Sequence, residues 1–347
     1  MMKKYILMLF SSVCVSCMSV FDLKLDDEPV ICLESFPGVE DVVVFSLRPA
    51  YSMSNSPTKP EFRPEIVFTV NGETVPVVQN TDFCVRGEYP EDCYIADYKP
   101  VPGDRMSIRV SSEGFRPISA RTSIPEPFPD RKIDYRSEVV GEREYCILYV
   151  TFEDDADTDF TYGMQVHNEL LTHFSEGKKE ITYVRYAGEQ IADDYNIAPM
   201  SLDGIRLCFD GWRMSDYANV ACWSDDNFNG RQKTISMTVR AYQYDEISAY
   251  DSFFVREYER ELYDEEYNVV GKCNVQERNK LILYTMTDEF YKYSLAKESA
   301  RENAGFFAGI APSNFCYSNV EGGYGVFAGV YCEHTDWITP EFIENNR

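Results

Sequence analysis

From Pro29 onward the chain alternates short apolar stretches with turn-forming residues, and the alternation has the two-residue period of strands. Pro29–Ser35 opens the series, and Asp41–Leu47 follows with Val42, Val43, Val44 and Phe45. Glu65–Val70 and Thr74–Gln79 flank Asn71-Gly72, a pair that supplies the positive φ of a two-residue hairpin turn. Cys93–Tyr98, Arg105–Ser111 and Ile118–Ile124 complete the set, with Gly114-Phe115-Arg116-Pro117 turning between the last two. Strands of this length and spacing, with almost no helix, predict an immunoglobulin-like or transthyretin-like β-sandwich over residues 29–126.

Pro125-Glu126-Pro127-Phe128-Pro129 marks a boundary, because three prolines in five residues cannot continue a ladder and form a stiff, extended connection. Beyond it the pattern predicts a larger β-rich domain over 127–347 with a few short helices. Its strands are expected at Ile133–Tyr135, Glu144–Phe152, Tyr162–His167, Ile181–Tyr186, Thr234–Tyr244 and Lys280–Tyr284. The last leads into a helix near 287–303, with Thr287 as N-cap and Asp288 and Glu289 in a first turn that favours negative charge. Phe290 and Tyr293, with the Tyr291/Leu295 pair, give that helix two apolar contact rows. A short helix is expected over Glu246–Tyr250, and the segment from Asn319 to Gly329 reads as a glycine-rich turn into a strand. The chain as a whole is therefore expected to be mostly β.

The N-terminus departs from this pattern. Lys3 and Lys4 precede an apolar stretch over residues 5–16 that is shorter than the about 20 residues a spanning helix needs. It ends Cys14-Val15-Ser16-Cys17, a small residue followed by cysteine, as lipoprotein signal peptides end. The expectation is a signal peptide over 1–16, acylation of Cys17, and an acidic tether over 17–28. Two or more acyl chains on Cys17 hold a protein stably to a membrane, where one does so only marginally.

Composition sharpens the exclusions. The formal net charge is −25, a field that repels phosphate backbones, so no nucleic-acid partner is expected. The 25 tyrosines and 22 phenylalanines suit half-exposed sheet faces. Of the 11 cysteines, Cys84 and Cys93 flank a turn-rich segment and are a candidate disulfide stapling a hairpin, with an unbridged hairpin the open alternative.

Candidate chemistry is sparse. Asp155–Asp159 and Asp225–Gly230 resemble the start of a calcium loop, but the twelfth positions are Val166 and Ser236 where a bidentate glutamate belongs. Solvated turns fit them better, and no metal is expected. Gly323-Tyr324-Gly325 with Gly329 lacks the following helix that a nucleotide fingerprint requires. His167, His173 and His334 fall in no catalytic spacing, so no catalytic residue, no cofactor and no enzymatic activity are expected. Trp212, Trp223 and Trp337, with Tyr217 and Tyr331, suit core packing better than a sugar-stacking platform.

The order of parts resembles a known family. The lipobox, acidic tether, strand set and Pro-rich link are followed by the stretch from Tyr284 to Tyr293 and by Ser318-Asn319-Val320-Glu321-Gly322-Gly323-Tyr324-Gly325-Val326-Phe327. Together they resemble the Bacteroidetes lipoproteins grouped as domain of unknown function 4249, across nearly the whole chain after Cys17. The most specific element is the last, with Asn319, Glu321, Gly322, Gly323, Gly325 and Phe327 as its motif residues. The segment from Ile310 to Cys316 departs from the family pattern. The resemblance implies a lipoprotein of the outer membrane, facing the cell surface or the periplasm. It also implies a non-enzymatic binding or accessory role beside a TonB-dependent transporter. The alternatives are a fimbrial or adhesin subunit that polymerises by strand donation, and a hydrolase whose triad is assembled from distant loops.

Overall fold

The computed structural model describes residues 29–51, 60–80, 93–140, 143–176, 179–187, 205–210, 217–240, 256–263, 269–296 and 317–347. The expected signal peptide and tether, Cys17, Cys84, Trp212 and the expected helix over Glu246–Tyr250 lie outside these residues. What is described is mostly β, built as several largely antiparallel sheets with two helices.

Two sheets form the first module. One orders β18 (Tyr324–Phe327), β1 (Val30–Ser35), β2 (Val43–Ala50), β6 (Cys93–Ala96) and β5 (Val77–Gln79). The other orders β4 (Glu73–Val75), β3 (Glu65–Val70), β7 (Arg105–Ser111) and β8 (Ile118–Ser123). Alternation decides what faces inward: Ile31 and Leu33 from β1 meet Met106, Ile108 and Val110 from β7 across one core with Phe45 and Phe68. Asn71 (φ 53°) and Gly72 (φ 89°) make the expected hairpin turn between β3 and β4. The expected single strand over Thr74–Gln79 is broken at Pro76, which has no N–H for a ladder; β4 pairs β3 while β5 crosses to pair β6.

The sandwich expected to end at residue 126 takes a strand from far beyond it. β18 lies beside β1, in parallel, with Cys32 opposite Tyr324 and Ser35 opposite Phe327. A parallel neighbour must arrive by a long crossover, and here the crossover is the rest of the chain.

The second module faces the sheet β15 (Gln232–Arg240), β10 (Arg143–Glu153), β9 (Arg131–Val140) against a larger sheet. The spine of the larger sheet is the pair β11 (Phe160–Glu176) and β17 (Val269–Thr287), registered from Phe160↔Thr287 to His173↔Asn274. β14 (Tyr217–Ser224) and β19 (Val330–Trp337) flank the end near Phe160, and β13 (Ile205–Asp210) extends it from β14. β12 (Lys179–Ala187) and β16 (Arg256–Tyr263) flank the far end. Several strands run longer than the apolar runs implied, since Ile133–Tyr135, Tyr162–His167 and Lys280–Tyr284 are only segments of β9, β11 and β17. Polar residues continue β11 and β17 because each has partner strands on both sides, which a periodicity reading does not see; β9 runs long at a sheet edge beside β10.

Leu148, Val150, Phe152, Tyr162, Met164, Trp223, Leu281 and Leu283 fill the core between these sheets, so Trp223 is a packing residue. α1 (residues 288–296) follows β17 as expected, its N-terminal side next to Thr287. Of its two apolar rows, Phe290 and Tyr293 are buried while Leu295 stays exposed. α2 (Pro340–Asn345) was not anticipated. Thr339 caps it, accepting from Phe342 N at 3.0 Å, with proline at the first helical position.

A third apolar cluster joins the modules: Ile282, Tyr284, Met286, Phe290 and Tyr293 pack with Val326, Ala328 and Val330, and Phe36 and Val39 lean on it. Phe36 stacks edge-on to Phe290 at 5.3 Å, and the Tyr293 hydroxyl donates to Glu34 Oε1 at 3.2 Å. β1, the first strand after the expected tether, is thus gripped by β2, β18 and α1 together.

Candidate functional site

The motif residues around Asn319 form a clasp across the open side of the first sandwich. Ser119 N donates to Glu321 O at 3.0 Å, Glu321 N returns a bond to Ser119 O at 2.8 Å, and Ser119 Oγ donates to the Glu321 carboxylate at 3.0 Å. Glu321 therefore holds the segment to β8 in one sheet, while β18 pairs with β1 in the other. Phe327 is fully buried, against Phe45 and Phe68. Asn319 reaches over to Phe327, its side-chain N–H donating to Phe327 O at 2.8 Å and its oxygen accepting from Phe327 N at 2.9 Å. That amide takes the place of a further strand on the outer edge of β18.

The glycines of the motif are demanded by approach distance. A methyl group on Gly325 (φ +114°) would overlap the carbonyl oxygen of Leu33, and one on Gly323 that of Ile31. Gly322 (φ +79°) stands in the same relation to Pro117. All six motif residues thus have structural work here.

The two acidic turns, distant in sequence, meet. Asp154 accepts from the Tyr162 hydroxyl at 2.5 Å and from Gly230 N at 2.8 Å, while Asp225 accepts from Phe160 N at 2.8 Å. Burial, reinforced by Asp154, Asp159 and Asp226, pushes Asp225 up to about 6. Burial and the bond to Asp154 raise Tyr162 as well. Every one of these bonds ties protein to protein; residues 155–158 form the expected turn, closed by Thr158 N to Asp155 O at 3.1 Å, whereas Asp225 opens a short 3₁₀ turn and is buried, not solvated. Among the described residues no cluster of histidine, cysteine and carboxylate groups suits a metal ion.

A bulge in the large sheet gathers several of the remaining candidate side chains. In a regular strand His334 and Trp337, three residues apart, would point to opposite faces. β19 is irregular here: His334 pairs with Ile282 and Trp337 with Lys280, so three residues of β19 span two of β17. Thr335 absorbs the extra residue, its hydroxyl accepting from Leu281 N at 3.0 Å in place of a ladder carbonyl. The bulge therefore brings His334, Trp337, Lys280 and Ile282 to one face, and His167 stands opposite Lys280 on β11. Lys280 Nζ lies 5.2 Å from the Trp337 ring centroid and the Arg278 guanidinium carbon 3.7 Å from it. Partial burial and the Lys280 charge hold His334 below the ordinary histidine value.

Of the residues singled out from sequence, Cys17 and Cys84 lie outside the described residues. Cys93 is buried at the start of β6, against β2. Trp337, expected in the core, lies half-buried on this bulged face instead, and only the pairing of three strands assembles it. Lys280 and Arg278, two apart in a strand, were the visible half of the signal. No protein-family model matches the chain, and no curated protein matches it either.

Proposed function

We propose that the protein is a lipid-anchored component of the cell envelope, acylated on Cys17. Its body acts without catalysis of its own as a binding or accessory protein of nutrient uptake through a TonB-dependent outer-membrane transporter. The observation that carries this reading is the run from Lys3 to Cys17, a short apolar stretch ending in Ser16-Cys17 before an acidic segment. The fold supports it. The tether would enter the body at β1, and the shared apolar cluster joins the two modules so that an anchored body moves as one piece.

The fimbrial alternative needs an open sheet edge for a donated strand. The β1 edge is taken by the chain's own β18; of the other edges of the first sandwich, β4 and β5 are three residues each, and the six-residue β8 is bridged by Glu321 at Ser119. A hydrolase would want an imidazole beside a carboxylate; the nearest strand neighbours of His334 and His167 include Lys280, whose charge opposes the imidazolium a general base must become.

Radiolabelled palmitate should enter the wild-type protein and not C17S, which should leave the membrane fraction for the soluble one. Affinity purification of the wild type from intact membranes should recover a transporter. An unlabelled wild-type protein refutes the anchor; labelled protein that brings down no transporter refutes the uptake role alone.

A further inference from the structure

We propose that the outer face of the sheet built from β3, β7 and β8 is the dock for the chain's own acidic segment over 22–28, held there by Arg105, Arg109 and Arg121. This goes beyond the envelope reading and needs no acyl group, only the residues that precede β1.

Alternation sets the face. Met106, Ile108 and Val110 of β7 are buried with Ile118 and Ala120 of β8, which turns Arg105, Arg109 and Arg121 outward, and all three are exposed. Ser107 stands opposite Arg121, while Ser119 and Ser123 stand opposite Arg109 and Arg105, so arginines alternate with hydroxyls across the two strands. Thr69 of β3 joins the same floor, its hydroxyl 2.7 Å from that of Ser107. These neighbours are short, and they leave the planar guanidinium forks open to a carboxylate. None of the three arginines forms an ion pair among the described residues. Of the acids close by, Glu65 lies at the end of the face opposite Ser111, and the Glu321 carboxylate already accepts from Ser119 Oγ. Asp104 is buried, with bonds from Tyr98, Asn71 and Val101. In a chain of 58 acidic and 33 basic residues this face carries a local surplus of positive charge.

The occupant follows from where the chain enters. Gly323 lies against both the Ile31 carbonyl and the Ile118 side chain, so the start of β1 sits beside the start of β8, next to Ser119 and the Arg109 row. The residues leading into β1 include Asp22, Asp26, Asp27 and Glu28, with Lys24 the single cation over 22–28. At about 3.5 Å per residue an extended chain over 22–28 reaches about 25 Å, while Arg105 and Arg109 are about 14 Å apart along β7. The segment is long enough to turn the edge of the sandwich and lie along the arginines. Single exposed ion pairs are weak and screened by salt, but covalent attachment makes this docking intramolecular, so several such pairs act together. Docking shortens the free chain between Cys17 and the body, and so holds the first sandwich close to whatever residue 17 is fastened to.

Lys24 supplies the readout. The intact protein in detergent is digested with a lysine-specific endoproteinase, and cleavage after Lys24 is timed by mass spectrometry. At low salt the wild type should be cut there at least about tenfold more slowly than R105Q/R109Q/R121Q, and at high salt the two should be cut alike. The charge-swapped chain, R105E/R109E/R121E with D22R/D26R/D27R, should regain the protection, which a merely structural role of the arginines would not give. R136Q, on β9 of the other module, should behave as the wild type. Equal cleavage of wild type and triple variant at low salt, or a swap without regained protection, overturns the proposal. So does an unprotected Lys24 in a protein whose arginines bind phosphatidylglycerol vesicles, which would give the face to lipid headgroups. C17S should show the same protection as the wild type, so failure of the dock and failure of the anchor are read apart.

Discussion

Gly72, Gly329 and Gly325 separate two costs that are usually confounded. Gly72 has φ +89° with nothing within 4 Å of where a Cβ would lie, so G72A adds backbone strain alone, about 1 kcal/mol. Gly329 does not have a positive φ, but a methyl group there would overlap the Ser123 carbonyl oxygen, so G329A adds crowding alone, about 1–3 kcal/mol. Gly325 combines both: φ is +114° and the methyl group would overlap the Leu33 carbonyl oxygen, which belongs to a backbone and has no rotamer to retreat into. β18 must then move off β1. Its fully buried Val326 and Phe327 lose their seats, and burial of such side chains is worth about 1.5–3 kcal/mol each. With the strain added, G325A should cost about 4 kcal/mol or more, a large part of the roughly 5–15 kcal/mol that holds a protein folded. Urea unfolding followed by circular dichroism should rank the losses G72A, G329A, G325A from smallest to largest. A loss for G325A no greater than for G72A would refute the claim that β18 is held by close backbone approach.

The outer edge of β18 gives a second prediction. N319A removes both side-chain bonds to Phe327, should cost about 1–3 kcal/mol, and should raise the oligomer fraction in sedimentation by opening a strand edge; a monomer of unchanged stability would count against the capping role. Asp225 gives a third. Its folded value, near 6, lies above that of a free aspartate, so the folded state holds the proton more tightly. The stabilisation is full below about pH 4 and lost as pH rises through about 6. D225N should therefore gain stability relative to wild type between those limits, and a difference flat in pH would contradict this. The fourth concerns Arg131, which grips Glu333 through two bonds of 3.2 and 2.5 Å and ties β9 to β19. With both side chains partly exposed, E333Q should cost about 1–2 kcal/mol, and R131M/E333L should recover much of it; a double-mutant cycle with no coupling would show the pair to be idle.

Much of the first sandwich was legible because its signals are local. Asn71-Gly72 needs only its own φ preferences to make a turn, and the alternation in Arg105–Ser111 needs only one buried face. Pro76 could have been read as a break, since it cannot donate to either sheet, but the sheet that each half joins depends on partners many residues away. α2 also had a local signal in Thr339-Pro340, a cap before a proline, that was overlooked. The long strands β11 and β17 were underestimated for the opposite reason: His167, Asn168 and Glu169, or Arg278, Asn279 and Lys280, have no strand-like periodicity, and pairing with each other keeps them extended.

The glycine motif shows how a specific sequence can point to the wrong kind of importance. Its residue types are fixed by Leu33, Ile31 and Pro117, whose carbonyl oxygens leave no room for a Cβ, and by Phe327, whose backbone needs Asn319. Those partners lie some two to three hundred positions upstream or eight downstream, so the motif looks like a site until the sheets are assembled. The reverse holds for Trp337. Its spacing from His334 places the two on opposite faces of an ideal strand, and only the extra residue at Thr335 reverses that assignment. A face built by an irregularity is invisible to any reading that assumes regular strands. Deleting Thr335 would restore the regular alternation with His334 and Trp337 two residues apart and still on one face, while removing the hydroxyl that accepts from Leu281 N.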